Sequence, residues 1–116
     1  MKESYRKERL NELFHRAISE VMAGLQSRFG GMLSVVKTRL TADYQHLYVY
    51  LSYYGKNKKE EVFNKVVEMA PQIRRQFAGK VGYTVRRIPE LHFIYDNSVD
   101  TVINIDKLIS GPEEEN

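Results

Sequence analysis

The stretch "VVEMAPQIRRQF", residues 66–77, sets a proline in the middle of a pattern that otherwise reads as one amphipathic helix. Phe63, Val66, Val67, Ala70, Ile73, Phe77 and Val81 recur at three- and four-residue steps, the spacing that keeps a single helical face buried. Pro71 has no N–H to donate, and its ring disfavours helical geometry at Ala70. An interior proline costs about 3 kcal/mol relative to alanine. The pattern predicts a helical segment over 58–80, bent at Pro71 and followed at once by Arg74 and Arg75.

Upstream, residues 4–27 read as one long helix, with Leu10, Leu13, Phe14, Ala17, Ile18, Val21, Met22 and Leu25 as its apolar stripe. "RFGG", residues 28–31, ends it with glycine punctuation. "MLSVVKTRLT" suggests a strand of imperfect alternation through Leu33, Val35 and Leu40, and "ADYQH" reads as a turn. "LYVYLSYY" then alternates cleanly, with Leu47, Val49, Leu51 and Tyr53 on one face and Tyr48, Tyr50, Ser52 and Tyr54 on the other. Downstream of the bent helix, Gly79 and Gly82 read as stop signals. The third strand is placed at 90–95, because Pro89 cannot donate within a central ladder. Ser98 is a suitable N-cap for a short last helix with Val99, Val102, Ile103 and Leu108, and "GPEEEN", residues 111–116, reads as a disordered acidic tail. Three strands cannot bury both faces by themselves, so the helices must cover one face of the sheet in an α+β sandwich.

The chain of 116 residues is long enough for one hydrophobic core, and residues 1–110 read as a single domain. There is no cysteine, which rules out a disulfide framework and any cysteine-based metal or redox site and suits a reducing cytoplasm. "MKESYRKERLNE" carries charges with no apolar run behind them, so it is not read as a signal peptide, and no stretch approaches a membrane span. The net charge of +3 is unevenly distributed. Residues 1–92 hold 17 Lys/Arg against 9 Asp/Glu, and residues 93–116 hold one Lys against six acids. A basic body suits a polyanionic partner at one face; a mixed solvated surface explains the same charges.

The motifs of catalysis are missing. There is no phosphate-binding loop, dinucleotide fingerprint or nucleophile elbow. His15, His46 and His92 fall on a helix, a turn and a strand, and no two of them have metal-ligand spacing, so no metal site is expected. Asp96 and Asp100 suit capping better than acid–base work. "GKVG", residues 79–82, matches the Gly-x-x-Gly of nucleic-acid-clamping KH modules, but it stands after a helix and before a strand approach, where helix termination explains it. The span 71–92 is more persuasive, with five Lys/Arg (Arg74, Arg75, Lys80, Arg86 and Arg87) and one acid. Arginine forks beside a helical break favour phosphate, so these five are the expected contacts to RNA or DNA, against a solvated face for any one of them, with Arg6 and Arg9 of the first helix as further candidates. The row Tyr48, Tyr50 and Tyr54 is read as a strand face rather than as a base-stacking platform.

Three blocks in order, "VVKTRLTADYQHLYVYLSYYG", "IRRQFAGK" and "RRIPELHFIYDNS", resemble ribosome-binding factor A, a family of bacterial small-subunit assembly factors, over residues 5–110. The resemblance implies a KH-like fold of the second type, α-β-β-α-kink-α-β, in which a kink, usually Ala-x-Gly, replaces the Gly-x-x-Gly loop. Ala70-Pro71-Gln72 stands where that kink belongs, with Gln72 in place of its glycine. The resemblance further implies a monomer without enzymatic activity or cofactor. Such a protein binds the free 30S subunit through 16S rRNA and supports late rRNA processing and folding, including in the cold. The competing class is a protein-interaction module in which the tyrosine-rich strand or the acidic tail recruits another factor.

Overall fold

Alternation that fails in mid-strand needs an extra residue, and the first strand has one. In the computed structural model, which describes residues 2–95 with side chains from Tyr5 onward, β1 (Gly31–Leu40) pairs antiparallel with β2 (His46–Gly55), and the register shifts between Val35 and Lys37. Val36 is the extra residue of a bulge. Before it Leu33 and Val35 face the core; after it Thr38 and Leu40 do. β3 (Glu90–Tyr95) pairs parallel with β2 on the other side, giving the order β1-β2-β3.

Two 23-residue helices supply the covering layer: α1 (Lys2–Gly24), followed by a short 3₁₀ turn at Gln26–Arg28, and α2 (Lys59–Val81). They meet at Phe14 and Phe77, whose rings stack edge to face at 5.6 Å, and α2 reaches β3 through Phe63 against Tyr95 at 5.9 Å. Both helices join Leu33, Leu40, Leu47, Val49, Leu51 and Phe93 in one core. Polar ties fix the seams. Asn11 Nδ2 donates to the Thr38 carbonyl at 3.1 Å and its Oδ1 accepts from the Thr38 hydroxyl at 3.1 Å, so the buried threonine is satisfied. On β1, an edge strand, Gln26 Oε1 accepts from Leu33 N–H at 3.0 Å and its Nε2 donates to Leu33 C=O. Gly31 faces Gly55 across β1 and β2, and a Cβ on Gly31 would lie 2.6 Å from the Tyr53 hydroxyl and 2.7 Å from the Tyr54 carbonyl.

The segments on either side of Pro71 form one element. Helical assignment continues through Ala70-Pro71-Gln72, with Pro71 on the exposed side. The proline leaves the Val67 carbonyl without its i+4 donor, and Val67, 53% exposed, lies where water can replace that partner. The expectation that Val67 packs inward is corrected: the buried stripe runs Val62, Phe63, Val66, Met69, Ile73, Phe77 and Val81. Val67 lies a further 100° round the axis from Val66, beyond the edge of that stripe. Gly79 is also corrected, since it lies inside α2; termination falls to Gly82, whose N–H donates to the Ala78 carbonyl at 2.8 Å. Pro71→Ala restores the missing hydrogen bond and should stabilise the fold by on the order of 1 kcal/mol in urea melts, because the solvated Val67 carbonyl already recovers part of the full proline cost. A destabilised variant would mean that the surroundings require the proline.

The β1–β2 turn is built by side chains. The Thr41 hydroxyl donates to Asp43 Oδ1 at 2.7 Å, Gln45 N–H donates to the same oxygen at 3.1 Å, and Tyr44 adopts a φ of 65°. The Thr41 hydroxyl, followed by the Gln45 N–H, holds the Asp43 carboxyl below its ordinary value of 3.8. A native pKa below the unfolded one contributes stability above that ordinary value, and the contribution is lost as pH falls through the native one. Asp43→Ala should therefore lower the melting temperature at neutral pH, and the gap to wild type should close on acidification below about pH 4. A gap that stays constant down to about pH 3 would remove the carboxylate from this role. Ser98, the last helix expected at 99–108 and the tail at 111–116 lie outside the described residues.

Candidate nucleic-acid interface

The expected basic residues all lie on the surface, and the fold distributes them over more than one side. Arg74 and Arg75 follow Ile73 on α2 and are exposed; Arg86 and Arg87 are exposed in the segment that leads from α2 to β3. Lys80, also exposed, stands in the last turn of α2 and pairs with Glu20 of α1 at 3.2 Å. Both partners are largely solvated, so the pair contributes little stability, but it turns Lys80 toward α1. The Arg74 charge is felt at His92 of β3. Arg6 and Arg9 are exposed on α1, and the Arg9 guanidinium sits 5.6 Å from the centre of the Tyr5 ring.

Around Arg6, Arg9 and Arg16 the surface is concave, in a groove that Tyr5, Leu10, Leu13 and Thr84 also line. Thr84 belongs to the same α2–β3 segment as Arg86 and Arg87, so this groove brings the start of α1 close to the segment that carries those arginines. Ala70 and Gln72 are half-buried on either side of exposed Pro71, within α2.

The face of the sheet turned away from the helices has a different chemistry. Lys37 lies 4.7 Å from the Tyr50 ring centre and Arg39 lies 4.6 Å from that of Tyr48. Tyr48 is 2% exposed, enclosed by Arg39 on one side and by His92, stacked at 4.8 Å, on the other. Of the tyrosine row only Tyr54, 85% exposed, presents an open ring, and Met32 opposes it.

A constellation invisible in the sequence lies on this same face. His46 faces Glu90 in the β2–β3 register and His92 is two residues on, which places His46 Nδ1 2.9 Å from His92 Nε2 and 3.8 Å from Glu90 Oε1. No two histidines have metal-ligand spacing along the chain, yet positions 46 residues apart meet because the strands are parallel neighbours. Burial pushes the His92 imidazole below the usual histidine value of 6.5; the charges of His46 and Arg74 act in the same direction, and Glu90 acts against them. No local motif signals this pairing; only the sheet order does.

The chain matches the family model of ribosome-binding factor A over residues 6–109. It belongs to the ribosome-binding factor A family. A relative, ribosome-binding factor A of Clostridium perfringens strain SM101, is 30% identical over 115 residues, 96% of this chain and 97% of that protein. The crystal structure of ribosome-binding factor A from Thermus thermophilus is similar in fold, with a TM-score of 0.66 at 25% identity over 77% of this chain and 94% of that one. Also similar is a homology model of the Thermus thermophilus factor fitted into the cryo-EM map of a 30S complex, with a TM-score of 0.65 at 23% identity over 79% and 97% of the two chains. The α+β fold expected of a ribosome-binding factor A is the fold described above. Among the described residues no helix is long and apolar enough to cross a membrane.

Proposed function

We propose that this protein is a non-catalytic assembly factor of the small ribosomal subunit, which binds the immature 30S particle as a cytoplasmic monomer through 16S rRNA and assists late processing and folding of that RNA, including in the cold. The family match across residues 6–109 carries the reading. The Thermus thermophilus neighbour placed in a 30S complex supports it. In this reading the single domain of residues 1–110 presents Arg74, Arg75, Lys80, Arg86 and Arg87 to phosphate, with Arg6 and Arg9 at the rim and Ala70-Pro71-Gln72 at the kink position. Phosphate contacts of this kind read shape and position and need no catalytic group. Lys80 ranks below the arginines, because Glu20 competes for its charge.

Co-sedimentation of the purified protein with 30S subunits, 50S subunits and intact 70S ribosomes over a range of salt tests the reading. Selective pelleting with free small subunits, falling steeply as salt rises, is the expected outcome. Equal pelleting with all three would reduce the protein to a generic basic RNA binder. Salt-insensitive association would favour a protein-interaction module using the open sheet face, where Met32 and Tyr54 are exposed.

A further inference from the structure

We propose that His46, Glu90 and His92 form a binding site for a late first-row divalent cation, zinc above all, that clamps the start of β3 to the start of β2. One ligand atom from each residue lies within 4.8 Å of the other two. Two imidazoles and a carboxylate are a donor set that zinc accepts, with bonds of about 2.0–2.2 Å to nitrogen and oxygen. Such bonds at a tetrahedral centre hold donor atoms about 3.3 Å apart. His46 Nδ1 and His92 Nε2, at 2.9 Å, need to separate slightly, and the Glu90 carboxylate, 3.8 Å from His46 Nδ1 and within 4.8 Å of the His92 donor, needs to swing in toward both. The Glu90 side chain is 56% exposed and free to make that adjustment.

The surrounding structure holds the donors in place. The Glu90 N–H donates to the Gln45 carbonyl at 2.8 Å, and His46 N–H donates to the Thr41 hydroxyl at 3.1 Å, so both strand starts are anchored to the same turn. His92 is 8% exposed and its imidazole lies stacked on the Tyr48 ring, which holds the plane of the ring. Two features limit the affinity. Among the described residues nothing hydrogen-bonds the buried His92 Nδ1, so no carboxylate or carbonyl there orients the ring, and the Arg74 charge felt at His92 opposes an incoming dication. The expected dissociation constant is on the order of micromolar, weaker than in structural zinc sites with a complete outer shell.

Zinc chloride titrated into the full chain against a chromophoric chelator at neutral pH should show one site per chain. His46→Gln and Glu90→Gln, both at solvent-accessible positions, should weaken it at least roughly tenfold, whereas His15→Gln should leave it unchanged. NMR of the imidazole protons gives the second readout, with His46 and His92 moving on zinc addition and His15 remaining in place. Wild-type affinity in both variants, shifts confined to His15, or no binding up to about 1 mM zinc would each overturn the proposal. No ribosome enters this experiment, so its outcome is independent of the assembly-factor reading.

Discussion

Phe77→Ala should remove about 3–5 kcal/mol of stability, the largest loss expected from any single truncation of α2. Phe77 is fully buried, and its ring packs edge to face on Phe14, so truncation removes both a large apolar area and the contact that fastens α2 to α1. Domains of this size have a total stability of about 5–15 kcal/mol, so the variant should be partly unfolded at growth temperature. The cavity would open between two helices and not at a surface that can collapse onto it, which places the cost in the upper part of the range. Urea unfolding followed by circular dichroism measures the effect. Val67→Ala on the same helix is the control and should change stability by less than about 0.5 kcal/mol, because Val67 is 53% exposed. A loss below about 1 kcal/mol for Phe77→Ala would mean that α2 does not pack on α1 in solution as described.

The double substitution Arg74→Ala/Arg75→Ala should lower affinity for the small subunit by about ten- to a hundredfold at moderate salt and leave the fold intact. Both side chains are exposed, so the effect on stability should stay within about 0.5 kcal/mol. Each lost phosphate contact releases about one counterion fewer, so a plot of log affinity against log salt should flatten by about one unit per arginine engaged. The slope carries more information than the affinity. A fall of about two units places both arginines on phosphate. A fall of about one selects a single arginine, and the single variants then separate Arg74 from Arg75. Unchanged binding at several salt concentrations would move the interface away from α2, toward the α1 groove lined by Arg6, Arg9 and Arg16.

Much of this molecule is determined locally. The alternation of Leu47, Val49, Leu51 and Tyr53, the three- and four-residue steps through Phe63, Val66, Ile73 and Phe77, and the donor-free Pro89 ahead of Glu90 identify the strands and helices, because side-chain direction repeats with a period set by the backbone alone. Even the faulty alternation of β1 was legible as an anomaly, although its cause, the bulge at Val36, depends on what β2 presents opposite. Pro71 illustrates the limit of local reasoning. Its missing hydrogen bond predicts an interruption, yet buried Met69 and Ile73 on either side hold the helix together through the defect, whose unpaired carbonyl belongs to the exposed Val67.

Tertiary structure alone decided what non-adjacent residues do to one another. The basic residues of 71–92 look like one cluster along the chain, but a helix turns successive side chains by about 100°, and Lys80, six residues on from Arg74, turns to Glu20 on α1. His46 and His92 look unrelated, yet they stand 2.9 Å apart, because α2 carries the chain back across the sheet and lays β3 parallel to β2. Periodicity and capping chemistry act over a few residues and can be read from the sequence. Strand order and register are set by how the whole core closes, so pairings that depend on them appear only in the folded molecule.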